Sequence, residues 1–132
     1  MTDKSDKVNV FREERLRLQT LMQEKAGLST KRFLSLDSQV YREGALDTKS
    51  KELLGLVASL VLRCDDCIRY HLDRCRQEGV NDVELDDALA IGLVVGGSIT
   101  IPHIRRAWEF WENISLTTEH TVHSKVRGKD NE

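Results

Sequence analysis

From Thr48 to Leu62 the chain consists of strong helix formers whose apolar side chains fall on nearly every face, so a helix here lacks a solvated side and has to lie inside a bundle. Asp47, just before it, is a good N-cap. At 132 residues the chain has the size of one domain, and the other helices must come from its own length or from further copies. Phe11, Leu16, Leu18, Leu21 and Met22, set among Arg and Glu, predict a first amphipathic helix closed by Gly27. Phe33, Leu34, Leu36, Val40 and Tyr41 predict a short second one before Gly44. After a turn from Leu62 to Asp65, Cys67, Ile68, His71, Leu72 and Cys75 recur with helical spacing, and Gly79 ends that segment.

Asn81 and Glu84 form a capping-box start for a helix through Ala88, Leu89 and Ile91, which Gly96-Gly97 ends or bends. The β-branched residues between Ile91 and Ile101 also suit a strand, but no second strand is available to pair with it. Pro102 fits the first turn of a last helix through Trp108, Phe110 and Trp111. The expected architecture is an all-α bundle of about five to six helices with a central antiparallel helical hairpin that carries a Cys-x-x-Cys. It forms one domain over residues 1–132, with loose polar tails at 1–10 and 117–132.

Charge excludes some functions. Lys plus Arg is 20 and Asp plus Glu is 22, a net of −2, so no basic surplus calls for nucleic acid. The apolar stretch from Ala88 to Ile101 is shorter than the roughly 18 apolar residues of a membrane span. The first residues carry no apolar secretory stretch, so a cytoplasmic location is expected. Three cysteines, two of them as Cys-x-x-Cys, point in that compartment to redox chemistry or metal rather than to a disulfide scaffold.

The residues able to do chemistry are Glu52, Cys64, Cys67 and His71. Cysteines three apart at a helix start lie within disulfide reach, whereas Cys75 sits roughly 12 Å beyond Cys67 along the helix. The helix dipole and His71, one turn past Cys67, both favour thiolate; Asp65 and Asp66, between the sulfurs, oppose it. In an antiparallel hairpin, residues equidistant from the turn face each other, which sets Glu52 opposite His71 or Arg74. A carboxylate on an apolar helix costs several kcal/mol unless paired or protonated, so Glu52 calls for a partner. Cys75 reads as a small core hydrophobe and His103 as a satisfied core histidine. Arg105 and Arg106 read as solvated or interface charges, and the Trp108, Phe110, Trp111 cluster as packing. A metal site on Cys64, Cys67 and His71, completed by Glu52 or His103, competes with redox chemistry but lacks the second Cys or His pair usual in structural zinc sites.

Glu52, eleven residues, Cys64, two residues, Cys67, three residues, His71: this string is similar to the redox motif of the alkylhydroperoxidase D branch of the carboxymuconolactone decarboxylase family. The resemblance runs over about residues 46–108, through Leu46-Asp47, Lys49, Lys51-Glu52-Leu53, Gly79, Glu84 to Ala88 and Gly96-Gly97-Ser98. It implies an all-α, alkylhydroperoxidase D-like fold assembled as a homotrimer or homohexamer. By position it makes Cys67 the peroxide-attacking thiolate, Cys64 the resolving thiol, His71 the base and Glu52 its partner. The implied substrate is a peroxide, the implied reductant a dithiol protein or dihydrolipoyl group, and no cofactor or metal is called for. One position departs: well-known members carry His immediately before the second Cys, where this chain has Asp66. Two other functions compete, a lactone-acid lyase as in the decarboxylase branch, which generally does without the cysteine pair, and a non-catalytic metal-binding or interaction subunit.

Overall fold

The computed structural model describes the backbone of residues 4–125 and the side chains of 6–115. Six α-helices follow in order: α1 (Lys4–Lys25), α2 (Leu28–Val40), α3 (Thr48–Val61), α4 (Asp65–Gln77), α5 (Asp82–Gly96) and α6 (Ile101–Lys125), with a 3-10 turn at Ser98–Thr100. Among the described residues there is no strand, and the 91–101 segment is helix, then turn. The fold is the all-α bundle expected, with α3 and α4 as the antiparallel hairpin. α3 packs on α4 and α5, and α6 on α4 and α1.

Local chemistry sets these boundaries. Asp47 caps α3 by accepting from the Ser50 amide at 2.7 Å, and Asn81 with Glu84 makes a reciprocal capping box on α5. α5 stops at Gly97, whose φ of +83° with extended ψ is open essentially only to glycine. Gly92 admits α3 so closely that a Cβ there would sit 2.5 Å from Leu60 Cδ2.

The core collects Leu56 and Leu60 from α3, Ile68, Leu72 and Cys75 from α4, Leu85 and Leu89 from α5, and Ala107, Phe110, Trp111 and Ile114 from α6. Trp111 is fully buried, donates its indole N–H to Asp82 at 2.7 Å and carries the Arg76 guanidinium over its ring. The aromatic cluster is therefore packing.

Three expectations need correction. The 1–10 stretch is helical from Lys4, and Val8 is fully buried in the core beside Phe11, whose ring meets Phe110 edge-on at 5.3 Å. α6 likewise runs past residue 117 to Lys125. Neither stretch contains a Gly or Pro to stop a helix already anchored in the core, which polarity alone did not reveal. Residues 1–3 and 126–132 of the two expected tails lie outside the described residues. Finally, α3 is not covered on every side by its own chain: Glu52, Leu56, Ser59 and Leu60 are buried, whereas Leu54 is exposed. α2 buries no residue at all and leaves Leu28, Phe33, Leu36 and Val40 open.

Candidate active site

The turn between α3 and α4 is short, three residues from Leu62 to Cys64. The Cys64 amide donates to the Ser59 carbonyl at 3.1 Å and the Arg63 amide to Leu60 at 2.9 Å. This helix-ending pattern places Arg63 in the left-handed region, φ +59°, where glycine is usual. Cys64 is at once the residue leaving that turn and the N-cap of α4, so its side chain stands where the free amides of the helix start converge. Its sulfur accepts the Cys67 amide at 3.2 Å. Cys64 and Cys67 are joined as a disulfide across a Cα–Cα distance of 5.3 Å. Cys64 is half-buried, and Cys67 is exposed.

Behind the sulfurs the hairpin buries its carboxylate. Glu52 is 1 % exposed, and its two oxygens are divided between partners on α4: Oε2 faces His71 Nδ1 at 2.8 Å and Oε1 accepts Arg74 Nε at 3.4 Å. The two registers left open by sequence are thus both realised by one side chain. A carboxylate facing Nδ1 holds the proton on that nitrogen and leaves Nε2 as the exchangeable site of the ring. Nε2 faces the Tyr41 hydroxyl at 3.5 Å, a long contact, and the two rings lie 5.4 Å apart. Burial first, and then the charge of Glu52, push the Tyr41 phenol up from its ordinary value, so its hydroxyl stays a donor at neutral pH. Gly55, one turn after Glu52, makes room: a Cβ there would lie 2.6 Å from the Tyr41 oxygen and 2.8 Å from His71 Cε1. The imidazole's two nitrogens thus face Glu52 and Tyr41, and neither is hydrogen-bonded to a sulfur in this oxidised form.

Tyr41 carries no signal in sequence that ties it to His71, thirty residues away. His103 and Arg106 are neither a core histidine nor a solvated charge: both reach from α6 to Asp65, which lies between the two cysteines in sequence, at 2.7 and 2.9 Å. Their spacing of three on a helix was the available clue. Cys75 is fully buried, and burial pushes its thiol up to about 12, which suits a core residue. Among the described residues no group of three or more His, Cys, Asp or Glu side chains is arranged to hold a metal ion. A cleft of about 490 Å³ between α1 and α2, lined by Arg15, Gln19, Lys31 and Tyr70 among others, touches neither sulfur. The disulfide opens to solvent at Cys67 instead.

The central hairpin of the bundle thus sets a cysteine pair at a helix start and buries a carboxylate–imidazole pair on the same two helices. The chain belongs to the carboxymuconolactone decarboxylase family, whose profile matches residues 28–110. It is similar to a family member from Thermotoga maritima for which a part in the antioxidative response is suggested, at 58% identity over 84% of this chain and 94% of that one, with a TM-score of 0.80. A second crystal structure of the Thermotoga protein gives a TM-score of 0.81 at the same identity, covering 83% of this chain and 96% of that one. A family protein from Legionella pneumophila matches at 26% identity and a TM-score of 0.66, covering 87% and 97% of the two chains. Among curated sequences, the uncharacterized protein 4 in the cox locus of Paracoccus denitrificans is 28% identical over 75 residues, 57% of this chain and 68% of that protein.

Proposed function

We propose that the protein is a thiol-dependent peroxidase that cycles through the Cys64–Cys67 disulfide, with a dithiol protein or dihydrolipoyl group as reductant. The observation that carries this reading is the buried Glu52–His71 pair on the same hairpin as a bonded, solvent-accessible cysteine pair. Apolar packing alone gives no reason to bury a carboxylate and an imidazole together, and their desolvation has to be offset by their mutual bond.

In the proposed cycle the Cys67 thiolate, the more exposed sulfur, attacks the peroxide O–O bond. The sulfur gains one oxygen and becomes sulfenic acid, and the other oxygen leaves as an alcohol or water after taking up a proton. His71 is the base that accepts the thiol proton and the acid that returns one, through a bridging water or Tyr41, while Glu52 stabilises the imidazolium formed in between. Cys64 then attacks the sulfenic sulfur, forming the disulfide and releasing water. The amide of Cys67, already aimed at Cys64 Sγ, favours the thiolate that performs this step. A dithiol donor reduces the bond by exchange and leaves as its own disulfide.

Exposed apolar residues on α2 and on α5, among them Phe33, Val94 and Val95, call for homo-oligomeric packing as a trimer or hexamer. The reducing environment the dithiol cycle needs is the cytoplasm. No helix of the described residues is long and apolar enough to cross a membrane. The test is peroxide consumption with a dithiol donor. Cys67→Ser is expected to abolish turnover, and Cys64→Ser to leave a trappable sulfenic acid on Cys67. Equal turnover by wild type and Cys67→Ser overturns the reading, and lactone-acid decarboxylation that survives Cys67→Ser would put the lyase in its place.

A further inference from the structure

We infer that His103 and Arg106 of α6 are positioning residues that set the acidity and reduction potential of the Cys64–Cys67 pair, by neutralising the carboxylate of Asp65, the residue that follows Cys64. The inference deepens the peroxidase reading and rests on it.

Asp65 directly follows Cys64 and opens α4. A free carboxylate on the residue next to a developing thiolate opposes it by like charge. In this fold the carboxylate is not left free. Oδ1 faces His103 Nδ1 at 2.7 Å and Oδ2 accepts Arg106 Nε at 2.9 Å, so both oxygens are engaged by a neighbouring helix. Burial alone would raise the acid, yet the bonds from His103 and Arg106, with the charge of Arg106, outweigh it and hold Asp65 below the usual carboxylate range. The group is therefore an ionised carboxylate with its charge met by a cation, and not a protonated acid. His103 Nδ1 also lies 3.2 Å from Arg106 Nη2. Both nitrogens are donors once Nδ1 gives its hydrogen to Asp65 at the shorter distance, so that contact only brings the guanidinium close. Asp66, the other intervening acid, is exposed and left to solvent screening.

The arrangement is separate from the Glu52–His71 pair. It is built from α6 rather than α3 and acts on the first residue of α4, six positions before His71. The geometry also accounts for the two acids inside this chain's motif: one is neutralised and the other is solvated.

The test uses the full chain and needs no peroxide. The disulfide is equilibrated in buffers of reduced and oxidised dithiothreitol to give its potential, and alkylation rate against pH gives the acidity of the more reactive thiol. Arg106→Gln is expected to raise that thiol pKa by about half to one unit and so cut its thiolate several-fold. The dithiol–disulfide equilibrium should move by up to about tenfold toward disulfide, roughly 30 mV more negative. Asp65→Asn should move both quantities the other way, Asp65→Asn with Arg106→Gln should return toward wild type, and Arg106→Lys should stay near wild type. A merely structural contact would lower the melting temperature in each variant without shifting acidity in opposite directions. A wild-type chain that forms no dithiothreitol-reversible disulfide overturns the peroxidase reading and this inference together. A wild-type couple that cycles normally while Arg106→Gln and Asp65→Asn leave acidity and potential unchanged, or shift them in the same direction, overturns this inference alone.

Discussion

Gly55→Ala should disable the imidazole without replacing it. The added methyl carbon lies 2.6 Å from the Tyr41 oxygen, about 0.8 Å short of the 3.4 Å at which ordinary contact begins, and 2.8 Å from His71 Cε1. Neither neighbour yields freely: the imidazole is bonded to Glu52, and Tyr41 holds its other side. In an open helix the change would stabilise by about 1 kcal/mol through propensity. Overpacking here costs about 1–3 kcal/mol, so the net result is expected between neutrality and about 2 kcal/mol of destabilisation in urea unfolding. Activity should suffer more, because displacing a reacting group by about 1 Å costs on the order of a hundredfold in rate. The assay is the second-order rate of peroxide consumption, read beside the melting curve. Tyr41→Phe removes the nearest atom in the overlap, so the double variant should regain part of the lost stability. Gly55→Ala with wild-type rate and wild-type stability would refute the claim that this glycine is kept for the ring it accommodates.

Other outcomes follow from single features. Fully reduced native protein should show two thiols reactive toward an aromatic disulfide reagent near pH 8 and a third only after unfolding, because Cys75 is buried with its thiol pushed up to about 12. Asp65→Asn should flatten the acid limb of thermal stability. The folded-state value of Asp65 is lowered, so its contribution is complete above its ordinary value near 3.8 and fades as pH falls through the lowered one. Melting curves of the two proteins should therefore converge toward pH 2, and a gap that persists there would contradict it. Gly97→Ala should cost about 1–3 kcal/mol in denaturant unfolding, since φ +83° with extended ψ excludes a side chain.

The hairpin and the pairing of side chains across it are legible because both depend on short-range rules. Helix spacing, the caps at Asp47 and Asn81, and equal counting from the turn place Glu52 against His71 and Arg74. What stayed hidden depends on contacts made across the bundle. Tyr41 meets His71 only because the segment between α2 and α3 folds back over Gly55, where a missing Cβ leaves space. His103 and Arg106 looked like ordinary polar residues of a last helix, since nothing local shows that α6 runs past the start of α4. Val8 stays hidden for a related reason: Val8 and Val10 in a polar stretch make no helical stripe, yet Val8 alone enters the core and Val10 stays exposed.

The disulfide described above closes a ring with only two residues between its ends. A crosslink that short removes little freedom from an unfolded chain, about 2 kcal/mol by loop-closure reasoning, much less than a bridge spanning the domain would. Leu56, Leu60, Ile68, Leu72 and Trp111 hold the bundle whether or not the sulfurs are joined. The bond can therefore be made and broken many times in a molecule whose architecture scarcely registers the event, so it can serve as a consumable reagent instead of a fastener.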